Sequence, residues 1–128
     1  MMKIKSNPLS VLIVDDEPLI RFTLSMLIIE KAESKTVESA EKALDEIRSR
    51  HYDLCFIDYN LPGMTGLEAV KIIKKRSENT KVVIMSGDYF DEGIKKQIKE
   101  SAYAFIEKPF KLSQIMEVIK YTAGDLPD

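Results

Sequence analysis

The sequence predicts an α/β fold, an open, doubly wound parallel sheet of five strands carrying five helices. Three observations predict it. Short apolar, β-branched runs recur at even intervals, and stretches with helical apolar spacing separate them. The first, third and fourth runs are apolar throughout, as in strands covered on both faces.

The first strand is expected at Val11-Leu12-Ile13-Val14. Pro18 suits the first turn of a helix, and Leu19, Phe22 or Thr23, Met26 and Leu27 continue it at apolar spacing. Ser34-Lys35-Thr36-Val37 makes a weaker, more polar second strand, expected at an edge of the sheet. Ala40, Ala43, Leu44 and Ile47 mark the second helix, and Asp53-Leu54-Cys55-Phe56-Ile57 the third strand. Thr65-Gly66-Leu67-Glu68 has the spacing of a capping box and opens a third helix. Lys81-Val82-Val83-Ile84-Met85 is the fourth strand. Phe90, Ile94 and Ile98 trace a lysine-rich fourth helix with a thin apolar stripe. Tyr103-Ala104-Phe105-Ile106 gives the fifth strand, and Leu112, Ile115, Met116 and Ile119 the fifth helix. Right-handed crossovers then permit the strand order 2-1-3-4-5, a flavodoxin-like arrangement. The first ten residues and the tail Gly124-Asp125-Leu126-Pro127-Asp128 are expected to fray.

The 128 residues suit a single domain with a core over about residues 10–123, and 45% hydrophobic residues can fill it without staples. Nineteen basic against 21 acidic side chains, a net charge of −2, give no general attraction to nucleic acid or anionic membrane. One cysteine and one histidine exclude a disulfide framework, a cysteine-built zinc site and schemes that need two imidazoles. No apolar run approaches the roughly 20 residues of a membrane span, and Met1–Pro8 lacks the apolar core of a signal peptide. A cytoplasmic location is expected. Cys55, inside the third strand, reads as a small core residue. His51, after Arg48-Ser49-Arg50, is expected to be solvated at a helix end. Lys95, Lys96 and Lys99 form a wet helix face that can also serve a partner surface.

In open parallel sheets, ligands bind beyond the carboxyl ends of the strands, where strand order reverses. After strand one come Asp15, Asp16 and Glu17, and after strand three Asp58, Tyr59 and Asn60. Strand four is followed by Ser86, Gly87 and Asp88, and strand five by Glu107, Lys108 and Pro109. Each has an ordinary reading. Asp16 can cap the first helix, Asp58 can start a turn with Asn60 and Gly63, and Ser86-Gly87 can be a plain turn. Lys108 alone would be a surface lysine, and Asp88 can flank a water's approach or cap the fourth helix. Their convergence on one sheet edge outweighs those readings. Three clustered carboxylates repel and call for a cation, and so few carboxylates with open water positions suit Mg²⁺ better than Ca²⁺. A lysine and a hydroxyl beside them suit phosphoryl oxygens, and an aspartate there can itself be the nucleophile. Neither Gly-x-x-x-x-Gly-Lys nor Gly-x-Gly-x-x-Gly is present, so a nucleotide is not the obvious donor.

These residues carry a resemblance. From Val11 to about Thr122 the chain resembles the receiver domain of two-component response regulators, similar to the single-domain chemotaxis-type regulators. The signatures are Val-Leu-Ile-Val-Asp15-Asp16, Asp58-Tyr-Asn-Leu-Pro62-Gly63-Met-Thr-Gly66, Ser86-Gly87 and Phe105-Ile-Glu-Lys108-Pro109-Phe110. The resemblance implies that Asp58 accepts a phosphoryl group from the phosphohistidine of a sensor histidine kinase or a phosphotransfer protein. It implies that Asp15, Asp16 (most directly), Asp58 and the Asn60 backbone carbonyl bind Mg²⁺. It makes Ser86 the switch hydroxyl, Phe105 the switch aromatic and Lys108 the phosphate-contacting lysine, with a cis bond before Pro109. It also implies a downstream partner or a dimer through the face of helix four, strand five and helix five. Two departures stand out: Ser101-Ala102 replaces the usual Gly-Ala before strand five, and Phe105 replaces tyrosine.

Two other classes fit less well. A haloacid-dehalogenase-like phosphatase would also use Asp58 as nucleophile, but it needs a second aspartate two residues on, where Asn60 cannot donate a carboxyl proton. A flavin carrier needs a hydroxyl-rich phosphate loop after strand one, and Asp15-Asp16-Glu17 would repel a phosphate.

Overall fold

The computed structural model describes residues 8–124, and strands alternate with helices throughout. The strands are β1 Leu9–Val14, β2 Ala32–Val37, β3 Leu54–Asp58, β4 Lys81–Ser86 and β5 Ala104–Glu107. The helices are α1 Pro18–Leu27, α2 Ala40–Ser49, α3 Gly66–Arg76, α4 Glu92–Ser101 and α5 Leu112–Thr122. All four strand pairings are parallel, in the order β2-β1-β3-β4-β5 that the sequence predicts.

The period-2 alternation of side chains splits the sheet's residues between two cores. Leu12, Val14, Cys55, Ile57, Val82 and Ile84 pack under Ala43, Ile47, Val70, Ile73 and Ile98 of α2, α3 and α4. Val11, Ile13, Phe56, Val83, Met85 and Ile106 face the other way, under Leu24 of α1 and Ile115, Val118 and Ile119 of α5. β1 and β3 are buried on both faces, which explains their unbroken apolar runs. β2 lies at an edge, and its four middle residues are exposed.

Several sequence expectations are corrected. β1 starts at Leu9, so Leu9 and Ser10 are not frayed. Asp53 ties them down, accepting the Ser10 N–H at 2.9 Å and donating its own N–H to the Ser10 carbonyl at 2.8 Å. The rest of the expected fraying, residues 1–7 and 125–128, lies outside the described residues. Phe90 precedes α4 and does not belong to its stripe, because Asp91 caps that helix by accepting the Ile94 N–H at 2.9 Å. Asp88 therefore does not cap it. His51 is solvated at the end of α2 as expected, just past its C-cap Arg50, with Nε2 3.4 Å from Asp53 Oδ1. Leu19, Phe22 and Met26 of α1 face outward, while Leu24 and Ile28 are fully buried. Of the α1 stripe read from the sequence, Leu27 packs against the core while Leu19, Phe22 and Met26 lie on the outer side of a helix that is apolar on two sides. Cys55 is a core residue as expected, its thiol pushed up to about 12 by burial.

Candidate functional site

Strand register assembles the site. Val14 pairs with Ile57, so Asp15 and Asp58 emerge side by side at the ends of β1 and β3. Asp58 pairs with Met85 and Ser86 with Glu107, which carries the sequence on to Ser86 and Lys108 across β4 and β5. Asp58 and Ser86 are the last residues of their strands rather than the first of the following loops.

Asp15 is fully buried and satisfied on every side. Its Oδ1 accepts the Glu17 N–H at 3.0 Å, its Oδ2 accepts Lys108 Nζ at 2.8 Å, and its carbonyl accepts Arg21 Nη1 at 2.7 Å. Lys108 Nζ also lies 3.1 Å from Asp58 Oδ1 and 3.6 Å from Glu17 Oε1. Asp16 is exposed, and it does not cap α1, whose N-cap is Glu17 with no side-chain hydrogen bond. Asp15, Asp16 and Asp58 each bring a carboxylate oxygen within 4.8 Å of the others. Three carboxylates face a single, partly buried ammonium, that of Lys108, a deficit of positive charge that a divalent cation would fill. The donor set, all oxygen and open on one side, fits Mg²⁺.

The electrostatics register that deficit. Burial pushes the Asp58 carboxyl up to about 6; the Lys108 hydrogen bond opposes the rise, and the negative Asp15 and Asp16 add to it. Burial alone would lower the Lys108 ammonium, but its hydrogen bonds to Asp15 and Asp58 outweigh this and hold it above the usual lysine value.

An open pocket of about 370 Å³ sits over Asp58, lined by Asp16, Glu17, Asn60, Gly87, Asp88 and Lys108. Across its rim the Asn60 amide donates to Asp88 Oδ2. Ser86 is buried and does not line this pocket; its Oγ accepts the Asp88 N–H at 3.0 Å. Phe105 stands apart from the pocket, 38% exposed on β5. The Lys108–Pro109 bond is cis, as the resemblance implies. Ser101, which stands where the resemblance has glycine, is the last residue of α4, and no described residue other than glycine has a positive φ, so no glycine is required there.

Two residues escape sequence reasoning. Arg21 anchors the Asp15 carbonyl from one turn into α1, and nothing in its spacing marks it. Gly66, noted only within a motif, starts α3 directly against the end of β3. A Cβ there would lie 2.5 Å from the Asp58 carbonyl oxygen.

The family model for the response regulator receiver domain matches residues 11–120. The chain belongs to the response regulator receiver family. Among its relatives, sporulation initiation phosphotransferase F of Bacillus subtilis is 34% identical over 113 residues, covering 86% of this chain and 90% of that protein. The nitrogen assimilation regulatory protein NtrX of Azorhizobium caulinodans is 38% identical over 111 residues. There the receiver chain covers 84% of its own length but spans only about a quarter (24%) of NtrX. The crystal structure of a CheY-like response regulator receiver domain protein from Methanospirillum hungatei superposes with a TM-score of 0.86 at 25% identity, covering 93% of this chain and 96% of that one. A receiver is a phosphoacceptor signalling module of a two-component system rather than a substrate-turnover enzyme, and the phosphatase reading is not favoured. Among the described residues, no helix is long and apolar enough to cross a membrane.

Proposed function

We propose that Asp58 is the phosphoacceptor and that its donor is the phosphohistidine of a sensor histidine kinase or phosphotransfer protein. The observation that carries this reading is the Asp58 carboxylate itself: buried at a strand end, 3.1 Å from Lys108 and at the floor of the one-sided acidic pocket. An Asp58 oxygen attacks phosphorus, the P–N bond breaks, and its electron pair returns to the imidazole nitrogen, which takes up a proton. Asp15, Asp16, Asp58 and the Asn60 carbonyl would hold Mg²⁺, which offsets charge between the carboxylates and the phosphoryl oxygens. Lys108 neutralises a further phosphoryl oxygen, and the Ser86 hydroxyl is within a loop movement of hydrogen-bonding another. That movement would exchange the Asp88 N–H contact for a phosphoryl contact and be read on the face of α4, β5 and α5. Supporting that output face is a groove of about 400 Å³ between α4 and β5, lined by Phe90, Ile98 and Phe105 together with Lys95 and Lys99. One receiver unit over residues 1–128, acting in the cytoplasm, accords with this reading.

The test is intact mass after incubation with Mg²⁺ and acetyl phosphate. One phosphoryl adduct is expected, lost on chelation and absent from Asp58→Asn. A variant that still takes up the full adduct would overturn the assignment.

A further inference from the structure

Asp16 is the one exposed member of the three clustered carboxylates, yet its backbone is tied on both sides. The peptide after it is held by the Glu17 N–H, which donates to Asp15 Oδ1 at 3.0 Å. The peptide before it is held through the Asp15 carbonyl, which accepts Arg21 Nη1 at 2.7 Å. One step further back, the Asp15 N–H donates to the Val37 carbonyl at 3.2 Å and ties the loop to β2. Peptide units are planar, so anchoring one polar group of each fixes the chain between them. Arg21 is the fourth residue of α1, and helical side chains lean toward the N-terminus, so a long one there reaches back past the helix start. No side-chain cap does this work instead: Glu17 makes no cap hydrogen bond, and Pro18 has no N–H to offer. The guanidinium contact is short, charge-assisted and partly buried, so water competes with it poorly.

We propose that Arg21 is a positioning residue for the cation: by holding the Asp15 carbonyl it sets the peptide from which Asp16 projects, and so keeps the Asp16 carboxylate near those of Asp15 and Asp58. This rests on the reading of these carboxylates as Mg²⁺ ligands, and adds to them a residue that touches neither the ion nor a phosphoryl group. Outer partners that orient ligands in this way set metal affinity. Charge and position act here with opposite signs. Removing a positive charge beside an acidic cluster would by itself tighten cation binding. Releasing the peptide before Asp16 weakens it, because the loop must then be ordered when the ion binds. Position outweighs charge, since the hydrogen bond is direct whereas the Coulomb effect reaches an open site that solvent screens.

Mg²⁺ titration followed by the amide NMR signals of Asp16 and Glu17 tests it, comparing the parent with Arg21→Met and Arg21→Lys. Arg21→Met keeps an apolar stem and should bind Mg²⁺ about tenfold more weakly, the low end for losing such an outer partner. Arg21→Lys keeps a charged donor and should recover part of that loss. The Mg²⁺ concentration for half-maximal acetyl phosphate labelling should rise in step with the weaker binding. The labelling rate at saturating Mg²⁺ should stay near that of the parent, because the bound ion then orders Asp16, and this also shows that the variant folds. In chelator, the Glu17 N–H of Arg21→Met should exchange with solvent faster than in the parent, a readout that needs no metal. An Arg21→Met variant that binds Mg²⁺ as tightly as the parent, or more tightly, overturns the proposal and leaves the metal reading standing. So does unchanged exchange at Glu17, or a saturated labelling rate that falls as far as the affinity, which would make Arg21 a prop of the fold alone. A parent whose Asp16 and Glu17 signals ignore Mg²⁺ overturns the metal reading and this inference with it.

Discussion

Asp58 shows how a functional group is held at the expense of the fold. Burial raises its folded pKa from the ordinary 3.8 to about 6, so the native state binds more protons than the unfolded chain between those values. Stability must then fall as pH rises through that window, since the unfolded state releases its proton first. A shift of this size is worth on the order of 1–3 kcal/mol, at about 1.4 kcal/mol per unit. Without divalent cations, Asp58→Asn should therefore be more stable than the parent at pH 8 by that order, with the gap closing below pH 4. Urea unfolding in chelator at both pH values checks it; a gap that does not change with pH would remove burial as the cause. Added Mg²⁺ should stabilise the parent and narrow the difference, as any ligand of the native state does. The carboxylates were legible because strand ends in a parallel sheet converge by construction. Arg21 was not, because its contact is to a backbone carbonyl, and any residue offers one.

At the scale of elements, the junction of β3 and α3 carries the tightest constraint. Thr65 and Glu68 form the expected capping box, with Thr65 Oγ1 accepting the Glu68 N–H at 3.1 Å and Glu68 Oε1 accepting the Thr65 N–H at 2.9 Å. Gly66 then donates its N–H to the Tyr59 carbonyl at 2.7 Å. Thr65→Ala should cost about 1 kcal/mol, the usual loss of a cap, and leave Asp58 reactive. Gly66→Ala should cost more, because its Cβ would meet backbone that cannot swing aside, and it should slow Asp58 phosphorylation by displacing the strand end. Chemical unfolding paired with acetyl phosphate kinetics separates the two; equal losses in both variants would refute the steric account. Strands and the box were readable from local pattern. The inward face of α1 was not, because periodicity finds apolar stripes without saying which one the sheet covers, and α1 has two. Phe90 was misplaced for a related reason: it packs in the same core as Ile94 and Ile98 from a loop, so it mimics helical spacing.

Across the whole molecule, a line of aromatic rings leads from the pocket to the opposite sheet edge. Tyr59 directly follows Asp58, and its ring lies 4.6 Å from that of Phe90; Phe90 in turn meets Phe105 edge-on at 6.1 Å. Phe90 is buried, whereas Phe105 is partly exposed on β5 where it lines the groove, so a shift of the Ser86–Phe90 segment changes what Phe105 can pack against. The element most able to respond is α4, whose one buried residue is Ile98 and whose first turn contains Gly93. Phe105 has no hydroxyl to satisfy, so burying it needs only space and a balance of states a few kcal/mol apart, within reach of one or two charge-assisted hydrogen bonds. Beryllofluoride at Asp58 should therefore move the NMR signals of Phe90, α4 and Phe105 together with those of the pocket loops. Phe90→Leu keeps apolar volume but removes the ring faces that Tyr59 and Phe105 touch. In that variant the pocket shifts should persist while those of Phe105 and α4 shrink. Spatial intermediacy alone is not coupling, and only this comparison supplies it. Undiminished Phe105 shifts in Phe90→Leu would mean that the signal travels through the β4–β5 ladder, where Lys108 N–H donates to the Ser86 carbonyl at 2.9 Å, and not through the rings.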